Sequence, residues 1–471
     1  MEEKPDYAKV KSELDQVSPS FCLAKWLQVT IHLHNGHTHS CHHPNTHKIP
    51  LSELAQNPSA LHNTDFKKLQ RQMMLEGKRP PECQYCWSIE DLPGQHFSDR
   101  TIKSSDEWAY PHLDKIKKMP WDANVNPPYV EVSFSNACNF KCSYCYPHFS
   151  SRLMNEVKEH GHYELHYPHH HLETLRAIGK FPYEQEETNP YVEGFWKWWP
   201  SLYPDLKVLR VTGGEPLLSP STFRILDEII AKPNPELELA INSNLGSAPA
   251  VIEKFIGKLT TIAKNKLVKR LRLYTSVDTW GAQAEYIRHG LDFKYYWSNL
   301  ERVLRDLPEV HTTIMCTFNN LSVPSYRQFL EGLLELKRKH RTIQNHYTFM
   351  LDIAYLRDPV HQSVLLFPKK YLEVKLQECA KFIEENMLDD KLGTVGFSEY
   401  EKIKFGRLME YALTVQLPDR EKYLADFYLF FSEHDRRRKT SLLTAFPELN
   451  NFWKTCEEAA QQLKDSGPKH V

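Results

Sequence analysis

The chain predicts an α/β fold built on a parallel sheet, with a hairpin-and-helix segment in front and a helical region behind. Three patterns carry that expectation. First, six short runs of strand character, 129–134, 206–212, 237–242, 268–277, 311–318 and 346–354, alternate with helical stretches such as 221–231, 248–264, 295–307 and 325–339. Alternation of this kind builds βαβ units and parallel strands. Second, the run Trp26 to His34 alternates and is rich in β-branched residues, and Asn35-Gly36 follows it. Asn-Gly between two such runs signals a hairpin with a type I′ turn. Third, beyond Pro368 the apolar residues recur at helical spacing and no strand signal appears.

In chain order, residues 1–20 read as a polar, frayed lead-in, and 52–76 as one helix stopped by Pro80-Pro81. The Pro- and Asn-rich stretch 119–128 reads as an interdomain linker. The expected segments are therefore 1–20, 21–118, 119–128, 129–368 and 369–471.

Composition sets limits on function. With 471 residues, 41% hydrophobic, 12% aromatic and 25% charged, the chain has ample material for packed cores. Lys and Arg total 59 against 60 Asp and Glu, so nucleic acid is not an expected partner. No run of 18 apolar residues occurs and the first residues lack an apolar signal region, so a cytoplasmic, membrane-free protein is expected.

Of ten cysteines, seven fall in the first third of the chain. Cys316, Cys379 and Cys456 are isolated among apolar neighbours and read as buried core residues. The first strand of the alternating region runs into Ser135-Asn-Ala-Cys138-Asn-Phe-Lys-Cys142-Ser-Tyr-Cys145. Three thiolates on one tight loop hold three corners of a cubane iron–sulfur cluster and leave the fourth iron open to a small molecule. A structural zinc site wants four ligands, commonly from paired knuckles, and this loop supplies three. The second strand ends in Gly213-Gly214-Glu215-Pro216, where glycines permit close backbone approach and Glu215 or a carbonyl accepts from an ammonium.

Together these motifs resemble the radical S-adenosylmethionine (SAM) superfamily, whose cluster loop is C-x3-C-x-aromatic-C, the aromatic here being Tyr144. The resemblance covers roughly 129–367 and implies a partial (β/α)6 TIM-type barrel with its site at the C-terminal ends of the strands. It implies that Cys138, Cys142 and Cys145 hold a SAM-binding 4Fe–4S cluster and that Gly213–Pro216 bind the SAM amino group. It further implies that Ser276 and Asp278 bind the SAM ribose, that Asn244 lines the pocket and that Arg288 lies near the SAM carboxylate.

The four leading cysteines, Cys22, Cys41 and the pair Cys83-x2-Cys86, follow their own spacing. They resemble the twitch domain, a shortened SPASM auxiliary-cluster domain, placed here before the barrel. Four cysteines saturate one cluster, which points to a second iron–sulfur cluster that passes electrons; a zinc knuckle is the alternative. The histidines His32, His34, His37, His39, His42, His43 and His47, and the run 148–171, lack a fixed spacing to carboxylates and are expected to be solvated. The same holds for the charge run His434–Lys439, while the aromatic cluster 195–199 is expected in the core.

The expected function is reductive cleavage of SAM to a 5′-deoxyadenosyl radical that abstracts hydrogen from a substrate, for oxidation or modification of a peptide or protein. A flavodoxin or ferredoxin is the expected electron donor. Modification of a nucleoside, RNA or small molecule is the alternative within the family, and a metal-bound scaffold or binding module the alternative outside it. No acid or base residue stands out.

Overall fold

The structure is a computed structural model and describes residues 5–184 and 186–465. Its strands are β1 (Gln28–His32), β2 (His37–His39), β3 (His47–Lys48), β4 (Tyr129–Ser133), β5 (Lys141–Cys142), β6 (Val208–Thr212), β7 (Asn234–Ser243), β8 (Val268–Ser276), β9 (Arg288–His289), β10 (His311–Phe318) and β11 (Phe349–Tyr355). The chain forms two compact units, one reaching Asn136 and adding Arg176–Ile241 and Lys266–Arg270. The other takes Ala137–Leu175, Asn242–Asn265 and everything from Leu271 on. No described helix is long and apolar enough to cross a membrane.

In the first unit the sheet order is β3-β2-β1-β4-β6-β7. The four strands β1, β4, β6 and β7 are parallel, and β2 and β3 add in antiparallel fashion. Register follows from alternation. Ile31, Val132 and Val211 align on one face and are fully buried, while Thr30, Glu131 and Arg210 align on the other. In the second unit β8, β10 and β11 are parallel, and β5 with β9 forms a short antiparallel ribbon. The C-terminal helices Lys369–Glu385, Glu399–Thr414, Arg420–Arg438 and Asn450–Asp465 also belong to it.

Each of the six expected strands is present, and the region after Pro368 is helical as expected. Several other expectations are corrected. The stretch 1–20 is not a frayed lead-in: Tyr7–Val17 is a helix capped by Asp6, with Val10 and Leu14 buried, and residues 1–4 lie outside the described residues. The expected helix over 52–76 is split. Pro58 opens a separate 3-10 turn, and Thr64 caps a new helix Asp65–Leu75 by accepting from the Lys67 amide at 3.1 Å.

The hairpin forms, but its loop is four residues long, since His32 opposes His37. Gly36 has φ +67° while Asn35 keeps a negative φ, so the turn is not type I′. The Leu33 amide continues the β1–β4 pairing, donating to the Ser133 carbonyl at 2.8 Å. The segment 119–128 is also tied down, because the Asn63 side chain bonds both the amide and the carbonyl of buried Val125, at 3.1 and 3.0 Å. The compact units accordingly do not follow a boundary at 119–128.

The charge run at 434–439 is solvated only in part: Arg436 and Lys439 are exposed, but His434 and Arg438 are buried. Arg438 donates twice to Glu156, each bond 3.0 Å, and Lys141 reaches the same carboxylate at 2.5 Å. Tyr163 adds a fourth donor at 2.9 Å. This cluster ties the helix Ser151–His160 to β5 and to the helix Arg420–Arg438. Burial opposes ionisation of Glu156, but the Arg438 and Lys141 bonds and charges outweigh it and bring its pKa down to about 2.

Replacing Glu156 with Gln strands two cations and is expected to cost about 3–5 kcal/mol in urea unfolding. Because the folded pKa is depressed from an unfolded value of about 4.3, the ionised pair stabilises fully above that pH and is lost as pH falls toward about 2. The wild-type advantage over Glu156→Gln should therefore shrink between about pH 5 and pH 2; a gap that stays constant with pH would remove the electrostatic explanation.

Candidate functional site

The loop carrying Cys138, Cys142 and Cys145 is fixed along its whole length within the second unit. Ser151 Oγ accepts from the Cys138 amide at 3.1 Å, and Ser150 Oγ donates to the Phe140 carbonyl at 2.8 Å. Asn139 donates to the Gly246 carbonyl and accepts from Asn244, both at 2.8 Å. Gly246 has to be glycine, since a Cβ there would lie 2.5 Å from the Phe140 ring. Ser143 is held three ways: its amide donates to Ile287 at 2.8 Å, and its hydroxyl and carbonyl both bond the Gln362 side chain, at 2.7 and 3.0 Å.

The β5–β9 ribbon sets Cys142 opposite Arg288. Arg288 is 7% exposed and donates to both oxygens of the fully buried Asp278, at 2.8 and 2.9 Å. Asp278 also accepts from the Tyr144 hydroxyl at 2.8 Å and from the Thr317 amide at 2.9 Å. A carboxylate offers about four acceptor positions, and all are taken. Arg288 Nη1 lies 4.0 Å from Cys142 Sγ. Burial pushes the Cys142 thiol up, and the Arg288 charge partly offsets it. Burial raises Cys145 as well.

These contacts join residues that lie far apart in sequence: Tyr144, Asp278 and Arg288 around Cys142, and Asn244 on Asn139. They also spend the acceptor positions of Asp278 on the protein itself. Ser276 is the half-buried last residue of β8, paired with Met315.

Gly213–Pro216 belong to the first unit. Gly213 has φ +133°, and a Cβ there would sit 2.9 Å from Ser133 Oγ and from the Ser135 carbonyl. The Gly214 amide donates to that carbonyl at 3.2 Å. Glu215 is buried and caps the turn Pro216–Leu218, accepting from the Leu217 amide at 3.1 Å. The close backbone approach at Gly213 and Gly214 is thus toward the chain's own β4 loop.

Cys22, Cys41, Cys83 and Cys86 come together in the first unit, lining one small cavity with Met74 and Trp87. They belong to, or pack against, an apolar core containing Phe21, Trp26 and Trp108. Two buried cations join the lining: Lys25, ion-paired with Glu82, and Arg100, 2.9 Å from Glu90 and from Asp15. Burial pushes Cys41 and Cys86 up to about 12, so their thiolates need a compensating cation. Burial alone would depress Lys25, but the facing Cys83 and Glu82 charges raise it. Among the described residues, no three His, Cys, Asp or Glu side chains are grouped to hold a single metal ion.

Sequence reasoning missed Lys25, Arg100 and Gln362, because a lone Lys, Arg or Gln carries no spacing signal. It also misplaced the histidines. His34, His37 and His39 are buried, as are His169 and His170. His32 and His39 stand 3.3 Å apart at Nε2. His170 Nε2 lies 2.7 Å from the Cys145 carbonyl. Cys316, Cys379, Cys456 and the Phe195–Trp199 rings are core residues, as expected, with Trp196 at the margin.

No known family matches the chain, and no curated protein does. Among solved structures it is similar to TYW1 with a lysine–pyruvate adduct bound, at 16% identity over 55% of this chain and 72% of that one, TM-score 0.26. It is similar to Streptococcus suis SuiB bound to S-adenosylmethionine, at 11% identity over 79% and 70%, TM-score 0.31. For SuiB bound to the precursor peptide SuiA the values are 12% identity over 85% and 80%, TM-score 0.31. Likenesses this distant carry no argument about fold or activity.

The Asp278–Arg288 pair yields a double-mutant test. Asp278→Asn leaves a buried guanidinium without a counter-charge and is expected to cost about 3 kcal/mol or more in urea unfolding. Adding Arg288→Met removes the stranded charge and should recover part of that loss. Additive losses would show that the two side chains act independently.

Proposed function

We propose that the chain is a radical SAM enzyme with an auxiliary iron–sulfur cluster. The observation that carries the reading is the C-x3-C-x2-C loop, fixed at every residue between its cysteines and backed by Arg288 at Cys142. Cys138, Cys142 and Cys145 would hold a 4Fe–4S cluster, which would supply the electron for reductive cleavage of SAM to a 5′-deoxyadenosyl radical. The donor set fits: three thiols on one loop, with the Arg288 guanidinium beside Cys142.

In this reading the residues divide their tasks. Arg288 contributes positive charge next to Cys142. Asp278 positions Arg288 and Tyr144 and so acts on the cofactor through them, while Ser276 remains the candidate for the ribose. Gly213–Pro216 offer backbone groups to the SAM amino group. Asn244 holds the loop at Asn139. The strands β4, β6, β7, β8, β10 and β11, with their helices, are read as the partial (β/α)6 barrel.

Cys22, Cys41, Cys83 and Cys86 would hold the auxiliary cluster. Four thiols lining one cavity supply the four ligands that one such cluster needs. With all four ligands from the protein, such a group passes electrons and leaves no site for substrate. The substrate assigned here is a peptide or protein, to be oxidised or otherwise modified after hydrogen abstraction, and the electron donor a flavodoxin or ferredoxin.

Two variants test the two sites separately. Changing Cys138, Cys142 and Cys145 together to Ala should abolish 5′-deoxyadenosine formation under dithionite; undiminished formation would sink the assignment. That variant, reconstituted anaerobically, should keep about four irons if the auxiliary group is a cubane, or about two if it is a 2Fe–2S form. Zinc in their place would make the N-terminal site a structural knuckle. Cys83→Ala/Cys86→Ala should still form 5′-deoxyadenosine but lose the iron of the first unit.

A further inference from the structure

Two buried cations of the first unit tie the segment of Cys22 to the segment of Cys83 and Cys86. Lys25 sits in the short helix Ala24–Leu27, and its amide donates to the Cys22 carbonyl at 3.1 Å. Its ammonium reaches Glu82, the residue before Cys83 in the turn Pro81–Cys83. Arg100 donates to the Phe21 carbonyl at 3.0 Å and to Glu90, the last residue of the helix Gln84–Glu90, at 2.9 Å. Both cations line the cavity that the four cysteines share.

The two cations are not equivalent. Arg100 meets two carboxylates, Glu90 and Asp15, and each of its guanidinium nitrogens has an oxygen partner. Lys25 meets one carboxylate, Glu82. The Lys25 side chain is 2% exposed and that of Glu82 10%, so water and salt screen this pair little.

The pair is also oriented. Burial pushes the Cys83 thiol up, and the Lys25 charge opposes that rise more strongly than the Glu82 charge reinforces it. Burial likewise lowers Lys25, and the Cys83 charge, ahead of Glu82, more than restores it. Cys83 therefore meets the positive end of the ion pair.

We propose that Lys25 is a positioning residue that sets the reduction potential of the group held by Cys22, Cys41, Cys83 and Cys86, making that group easier to reduce. The inference rests on the auxiliary-cluster reading. Uptake of one electron adds one negative charge and neither forms nor breaks a bond, and a fixed ammonium favours the more negative form. Charge and hydrogen bonds at the sulfurs are main levers on such a potential, and residues behind the ligands supply them. Glu82 holds the ammonium in place and offsets part of its field.

The full chain carrying Cys138→Ala/Cys142→Ala/Cys145→Ala isolates that group after anaerobic reconstitution. Its midpoint potential is read by dithionite titration followed by EPR and absorbance. On this background Glu82→Gln keeps the ammonium and removes its counter-charge, so the midpoint should rise. Lys25→Met/Glu82→Gln removes both charges and strands neither, so the midpoint should fall below that of the background chain. Each shift should reach at least a tenfold change in the reduction equilibrium, about 59 mV for one electron. Iron content should be the same in all three chains. A pair that only packed would leave the midpoint alone or move it one way in both variants. An unmoved midpoint in either variant, or shifts of one sign in both, overturns the proposal. Loss of iron from either variant overturns it too, and makes the ion pair a condition of assembly. If the background chain takes up zinc, or no metal, the auxiliary-cluster reading fails and the proposal falls with it.

Discussion

A guanidinium taken out of water needs partners for its charge and its donors, and around Cys142 a carboxylate supplies them and organises everything nearby. Arg288 and Asp278 meet through two hydrogen bonds of 2.8 and 2.9 Å. The remaining acceptor positions of Asp278 draw in the Tyr144 hydroxyl and the Thr317 amide, so the loop, β9 and the end of β10 share one anchor. Removing either charge alone leaves the other buried and unpaired, which costs far more than the pair contributes. Glu156 repeats the same logic with Arg438 and Lys141 on the other side of β5. Two buried carboxylates thus fix one short strand from two sides.

The first unit meets charge differently. Lys25 and Arg100, beside the four cysteines, each have carboxylate partners. Farther in, Lys67 and Arg71 are fully buried and bind carbonyls, His62 and Asn63 instead. Burial and the Arg71 charge both depress Lys67 strongly.

The strands were legible because period-2 and helical patterns alternate cleanly from residue 129 on. The cysteine groups were legible because seven of the ten fall in the first third of the chain, five of them at tight spacings. Asp278, Arg288, Tyr144 and Asn244 were found through a family resemblance, yet their contacts were not: nothing local tells that Asp278 spends its acceptors on the protein. The histidines misled for the same reason. His34 and His170 look polar in sequence and become buried because a hydroxyl or carbonyl waits for each, Ser133 at 3.0 Å and Cys145 at 2.7 Å. Arg438 lay in a run that read as solvated, and only Glu156, 282 residues away, explains its burial.

β1 pairs in parallel with β4 along five residues, from Gln28 opposite Tyr129 to His32 opposite Ser133. A strand edge left open offers its amides and carbonyls to any other chain. The N-terminal segment is therefore no detachable cassette: β1 shields the edge of the strand that leads into the cysteine loop, and β2 shields β1 in turn. Inheritance, engineering or expression of the later strands by themselves would expose a hydrogen-bonding template just ahead of the loop, and self-association would compete with folding.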